Sequence, residues 1–146
     1  MSGANRDTVM SIAELEGFLE QEFPQAFGPA QPFKVVSIGR RTATLRLDAG
    51  EAHLRPGGTV SGPSLMALAD VAVYVALLAQ IGPVGLAVTT NLSINFLRKP
   101  APGAIFADAR IIKLGKRLAV GDVGLRGADD ADLVAHSVAT YSIPAR

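Results

Sequence analysis

Asp70 is the only formally charged residue between Arg55 and Arg98, and it sits in an apolar stretch, residues 64–82. A carboxylate buried without partners is costly unless neighbouring donors satisfy it or it takes up a proton. Such a group suits general-base work on water, or direct attack on an electrophilic carbon. A structural Asp, bonded to nearby hydroxyls or to another chain's backbone, fits the position equally well. Just upstream, Gly57-Gly58-Thr59-Val60-Ser61-Gly62-Pro63 reads as a flexible loop entering a helix. Ser61 or Gly62 is the expected N-cap, with Pro63 in the first turn. Free N–H groups and the positive helix end favour developing negative charge. Gly62 N–H is therefore a candidate oxyanion donor, whereas Pro63 has no N–H to offer. An ordinary capped helix start is the plainer alternative.

Other chemistries are excluded or weakly supported. The sequence has no cysteine, so thiolate nucleophiles, disulfides and Cys-based metal sites are ruled out. His53 and His136 stand far apart and match no metal-ligand spacing. Ser61 has no neighbouring His to activate it as a nucleophile. The formal net charge of +1 and the absence of Trp argue against a nucleic-acid binder. Local cations can still grip a phosphate. Arg98 and Lys99 end one strand candidate, and Lys116 and Arg117 open another. The solvated turns they occupy explain them as readily.

The elements that must position these residues follow from periodicity. Residues 1–10 are polar, read as a loose tail, and lack the apolar core of a secretory signal. A single domain then spans residues 11–146. Ser11 and Glu14 form a capping-box pattern ahead of Ile12, Leu15, Phe18 and Leu19 at helical spacing. Residues 33–38 and 42–47 alternate as a hairpin around Gly39-Arg40. The stretch 64–82 is long enough to span a membrane, but Asp70 and the strands that follow favour a helix buried inside a protein. Residues 84–97, 104–114, 117–126 and 133–143 read as strands. In the first, Thr89, Asn91, Ser93 and Asn95 share one face, and Thr90, Leu92, Ile94 and Phe96 the other. The short turns between strands favour antiparallel neighbours. The expected architecture is α+β, a long apolar helix wrapped by an antiparallel sheet of five or six strands. One sheet covers only part of such a helix, so at least a dimer is expected. A soluble, cytoplasmic protein follows as the default, with no membrane and no nucleic acid as partner.

The run from Gly58 through Gly62 to Asp70 resembles the signature of hotdog-fold acyl-CoA thioesterases of the phenylacetate-degradation type. That family reads Gly-x-x-His-Gly-Gly, four variable residues, then Leu-x-Asp. Val88-Thr89-Thr90-Asn91-Leu92-Ser93-Ile94-Asn95-Phe96-Leu97-Arg98 resembles its next strand, and the Gly115-Lys116-Arg117 turn its later one. The resemblance covers roughly residues 33–143. It implies a hotdog fold, with Asp70 as the carboxylate that activates water or attacks the thioester. It implies Gly62 as the N–H that polarises the carbonyl, and Thr89 as a hydroxyl that helps place the water. Thr90 and Asn91 beside it, with Arg55, Arg98, Lys116 and Arg117, become candidate contacts to the substrate. Leu65, Leu68 and Tyr74 are candidates to line the acyl channel, though core packing explains them too. Ser61 stands where the family has His, Pro63 where it has a second Gly, and Arg55 where it often has Asn. Ser61 still offers a hydroxyl.

The resemblance further implies a site shared between subunits, with Asp70 and Gly62 contributed by different chains of a homodimer or homotetramer. Coenzyme A enters as part of the substrate, and no metal or redox cofactor is needed. Hydrolysis of a small or medium acyl-CoA thioester is the expected function. The altered loop keeps open a binding protein that no longer hydrolyses, and a purely structural oligomerisation module stands as a third reading.

Overall fold

A computed structural model describes residues 7–128 and 132–145. Helix α1 spans Ile12–Glu22, opened by the expected capping box. Ser11 Oγ accepts from Glu14 N–H at 3.1 Å, and Ser11 N–H donates to Glu14 Oε1 at 2.9 Å. Each satisfies a backbone donor that a helix start leaves free. Strands β1 (Phe33–Gly39) and β2 (Thr42–Leu47) form the hairpin. After the long helix α2 (Gly62–Ile81) come β3 (Val88–Phe96), β4 (Ile105–Leu114), β5 (Leu118–Gly127) and β6 (Ala135–Ser142). All six strands join one antiparallel sheet in the order β1-β2-β4-β5-β6-β3.

The sheet curls around α2, the hotdog arrangement that the sequence implied. Leu45 and Leu47 of β2, Ile105 and Ala107 of β4, Val123 and Leu125 of β5 and Ala139 of β6 are wholly excluded from solvent. On the helix, Ala72, Val73 and every residue from Val75 to Ala79 are likewise excluded. The many alanines on the concave face keep it shallow enough for the helix to sit close. The approach is tightest at Gly121, where a Cβ would lie 2.9 Å from Val73 Cγ1. The stretch that is long and apolar enough to cross a bilayer is thus the core helix of this domain.

One stripe of α2 escapes the sheet. Pro63, Met66 and Ala67 are exposed and Asp70 is half-buried, and their spacing puts them on one helix face. Beside them, β3 is an edge strand with exposed Val88 and Phe96.

Three expectations need correction. Within residues 1–10, assigned to a loose tail, positions 7–10 are held against α2: Val9 N–H donates to Ala79 O at 2.8 Å, and Met10 is buried. Second, β3 and β4 are not neighbours. The connection through Pro100 and Pro102 carries the chain past β6 and β5, so β3 pairs with β6 and β4 with β2. Third, the alternation in β3 is broken. Thr89 pairs with Tyr141 and Asn91 with Thr140, leaving Thr90 as the extra residue of a bulge. An extra residue flips everything before it to the other face. Thr89 therefore shares the concave face with Leu92, Ile94 and Phe96 rather than the outer face with Asn91.

Candidate active site

The bulge brings Thr89 to Asp70. Thr89 Oγ1 donates to Asp70 Oδ1 at 2.7 Å. From β6, the Tyr141 hydroxyl also lies 2.7 Å from Oδ1, and 3.0 Å from the Asp70 backbone oxygen. Two hydroxyls on one oxygen solve the problem of a carboxylate in an apolar helix. Among the described residues nothing donates to Oδ2. Burial pushes the Tyr141 hydroxyl far above the ordinary tyrosine value, and the Asp70 charge pushes it the same way. It stays a proton donor across the neutral range.

Asp70 lines a cleft of about 480 Å³ shared with Thr89, Tyr141, Tyr74, Phe23 and Phe33. The Tyr74 ring stacks on that of Tyr141 with centroids 5.9 Å apart, and its hydroxyl donates to Gly85 O at 3.0 Å. Phe23 meets Tyr74 edge-on at 6.5 Å. The result is a largely apolar slot with one hydrogen-bonded carboxylate in its wall, the composition of a small-molecule site.

Gly62 lies elsewhere. It opens α2 beside a second cleft of about 570 Å³, lined also by Arg55, Leu65, Phe96, Arg98 and Lys99. Gly62 and Asp70 are about 12 Å apart along the helix at 1.5 Å per residue. Ser61 is the N-cap: its Oγ accepts from Ser64 N–H at 3.3 Å and donates to Ser64 Oγ at 3.0 Å. Leu65 N–H is taken by Ser61 O, and Pro63 has none. Gly62 N–H is left as a helix-end donor with no acceptor among the described residues. A side chain there would press on Phe96, whose Cζ would stand 3.3 Å from the Cβ.

The loop before Gly62, expected to be flexible, is tied down. Gly58 N–H donates to Arg55 O at 3.0 Å, with Pro56 and Gly57 between them and Gly57 at φ 98°. That is the residue pattern of a type II turn, where glycine alone takes the positive φ without strain. Arg55 N–H to Thr59 O and Ser61 N–H to His53 O close the rest into a small hairpin.

The remaining candidates scatter. Lys116 and Arg117 sit with Pro144 and Ala145 at the β4–β5 turn, the end of the sheet where Thr89 lies. Arg98 is at the opposite end, 3.4 Å from Asp132, roughly 23 Å away along β6 at 3.3 Å per residue. Thr90 bonds Thr140 O at 3.3 Å, and Asn91 faces outward with Thr140; neither lines the Asp70 cleft. Leu68 is wholly buried and Leu65 belongs to the second cleft, so only Tyr74 of the three channel candidates lines the first. His53 Nδ1 accepts from Gly50 N–H at 2.8 Å, and His136 Nε2 lies 3.2 Å from Asp122 on the outer face. Among the described residues no three His, Asp or Glu side chains converge as a metal site. Sequence reasoning missed Tyr141 and Phe23. The available signal for Tyr141 was a lone aromatic on a concave face otherwise built of Ala135, Ser137 and Ala139.

Comparison with known proteins identifies the family and the fold. The profile of the thioesterase superfamily matches residues 57–134. The fold matches the crystal structure of a candidate thioesterase from Silicibacter sp. TM1040 with a TM-score of 0.86, 45% identity and 97% of each chain covered. It matches a mutant of the phenylacetic acid degradation protein PaaI from Thermus thermophilus with a TM-score of 0.67 and 25% identity, over 88% of this chain and 99% of that one. Zebrafish thioesterase superfamily member 2 shares the fold alone, with a TM-score of 0.78 at 18% identity over 92% and 99% of the two chains. No curated protein matches the sequence.

Proposed function

Because this chain belongs to the thioesterase superfamily, we propose that it hydrolyses acyl-CoA thioesters with a small or medium acyl group, using Asp70 to activate water. The observation that carries this reading is the asymmetry of the carboxylate. Oδ1 is fixed by Thr89 and Tyr141, while Oδ2 has no donor among the described residues and belongs to a cleft-lining group. A base needs both a fixed orientation and one free oxygen. Water held on Oδ2 gives up a proton to it as its oxygen bonds to the thioester carbon. The carbonyl oxygen becomes an oxyanion, the C–S bond then breaks, and the proton passes from Asp70 to the departing thiolate.

The oxyanion donor comes from a second copy in this reading. Pairing of β3 with its own copy, antiparallel about a two-fold axis, brings the Val88 end of one strand to the Phe96 end of the other. The Asp70 cleft then faces Gly62 of the partner subunit. Arg55 and Arg98 of the partner subunit approach the Lys116–Arg117 turn, which gathers cations for the phosphates of coenzyme A. The exposed β3 edge and the uncovered α2 stripe, which includes Asp70 itself, support this assembly. A homotetramer would pair two such dimers.

A second reading, acyl-CoA binding without turnover, is favoured by Ser61. Its hydroxyl is committed to the helix cap, and no His stands in that loop to orient a thioester. A thiol-release assay over acyl-CoAs of graded length separates the two. Hydrolysis predicts release with short and medium acyl groups, whereas tight binding without release at any length would replace the enzyme by the binding protein.

A further inference from the structure

Besides Asp70, the cleft carries one other formal charge, Glu22, the last residue of α1. Among the described residues no Lys, Arg or His lines it. Glu22 stands where a carboxylate is unfavourable, at the negative end of a helix whose last turn has no basic residue. Among the described residues it has no cationic partner. Its neighbour Phe23 abuts Tyr74, which follows Asp70 by one helical turn. Glu22 is therefore an exposed carboxylate that lines the slot on its Tyr74 side. Its charge reaches that side: burial pushes the Tyr74 hydroxyl up, and Glu22 adds to the effect.

We infer that Glu22 selects the acyl group by the charge at its distal end, accepting neutral or cationic ends and rejecting a carboxylate. This rests on the reading of the cleft as the acyl site. Two carboxylates and no cation in the cleft lining leave a third negative charge beside Glu22 without a partner, whereas an apolar or ammonium end meets no such penalty.

The test uses thioether analogues of acyl-CoA, which cannot be hydrolysed, with chains of equal length ending in methyl, ammonium or carboxylate. Affinities are measured by calorimetry for the wild type, Glu22→Gln and Glu22→Lys. The wild type should bind the carboxylate-ended analogue about tenfold more weakly than the other two, the scale of one partly screened charge pair. Glu22→Gln should bring the three affinities together, and Glu22→Lys should favour the carboxylate. Equal affinities in the wild type, or a preference that survives Glu22→Gln, would overturn the inference. If none of the analogues binds, the inference falls together with the acyl-site reading. Discrimination without turnover of the matching thioesters removes hydrolysis and leaves the selectivity standing.

Discussion

At the residue scale, the unusual feature is an acid inside an apolar helix, and its neighbours explain why it is tolerated. Thr89 and Tyr141 each give Asp70 Oδ1 a hydrogen bond of 2.7 Å. A hydrogen bond to a charged group is worth about 1.5–3 kcal/mol. Tyr141→Phe keeps the ring stacked on Tyr74 and removes only the hydroxyl. Steady-state kinetics on that variant should show kcat lowered about tenfold or more, the rate equivalent of such a bond. The same variant tests the pH dependence. Because the folded-state value of Tyr141 lies above the unfolded value of 10.0, its contribution is complete below that pH. Above it the unfolded chain releases a proton that the native state retains, so stability declines as pH rises. Denaturant titrations between neutral and alkaline pH should show a shallower decline in Tyr141→Phe than in the wild type. An identical slope would mean the hydroxyl is not held as described. Asp70 and Gly62 could be singled out from sequence, because a lone charge and a glycine-rich helix start are local signals, whereas Thr89 stands out only through the resemblance of its strand to the family's. Tyr141 could not be singled out, since its partnership with Asp70 spans 71 positions and depends on strand register.

At the element scale, the sheet must close tightly on α2 for Thr89 and Tyr141 to reach the helix. Gly121 marks the closest approach, with Val73 on one side and the Arg110 carbonyl oxygen 3.3 Å away on another. Gly121→Ala forces α2 and β5 apart and should cost about 1–3 kcal/mol, the usual range for overpacking a filled core. Thermal and urea unfolding measure this directly, and an unchanged midpoint would contradict the packing. The helices and the six strands were legible because capping, apolar length and alternation are written locally: the capping box at Ser11 and strand β2 appear as the residues dictate. The order of the strands was not. Proline-rich turns suggested adjacency, yet β3 crosses to the far edge to pair with β6, and no residue in the turn encodes that partner. The bulge at Thr90 was equally hidden, because an unbroken two-residue period is what the sequence alone presents.

At the scale of the whole molecule, the proposed site is divided between two clefts of one chain. The Asp70 cleft has the carboxylate and no helix-end donor, and the Gly62 cleft has the donor and three cations but no carboxylate. In the proposed assembly, pairing across β3 and the bare α2 stripe joins them. Met66 is 41% exposed at the centre of that stripe, so Met66→Glu places a charge in the proposed contact while leaving the core untouched. Light scattering should report a monomer, with thiol release lost in proportion. A variant that remains oligomeric and fully active would place the contact elsewhere.

The most direct measurement is thiol release by Asp70→Asn against the preferred acyl-CoA of the wild type, beside a melting curve. The substitution keeps the shape of the side chain and an oxygen for Thr89 and Tyr141, and removes the base. The expected result is a fold that melts cooperatively and a kcat lower by about 10²–10⁴, the range that general-base catalysis contributes. A folded Asp70→Asn protein that releases thiol at the wild-type rate would contradict the assignment of Asp70 as the base.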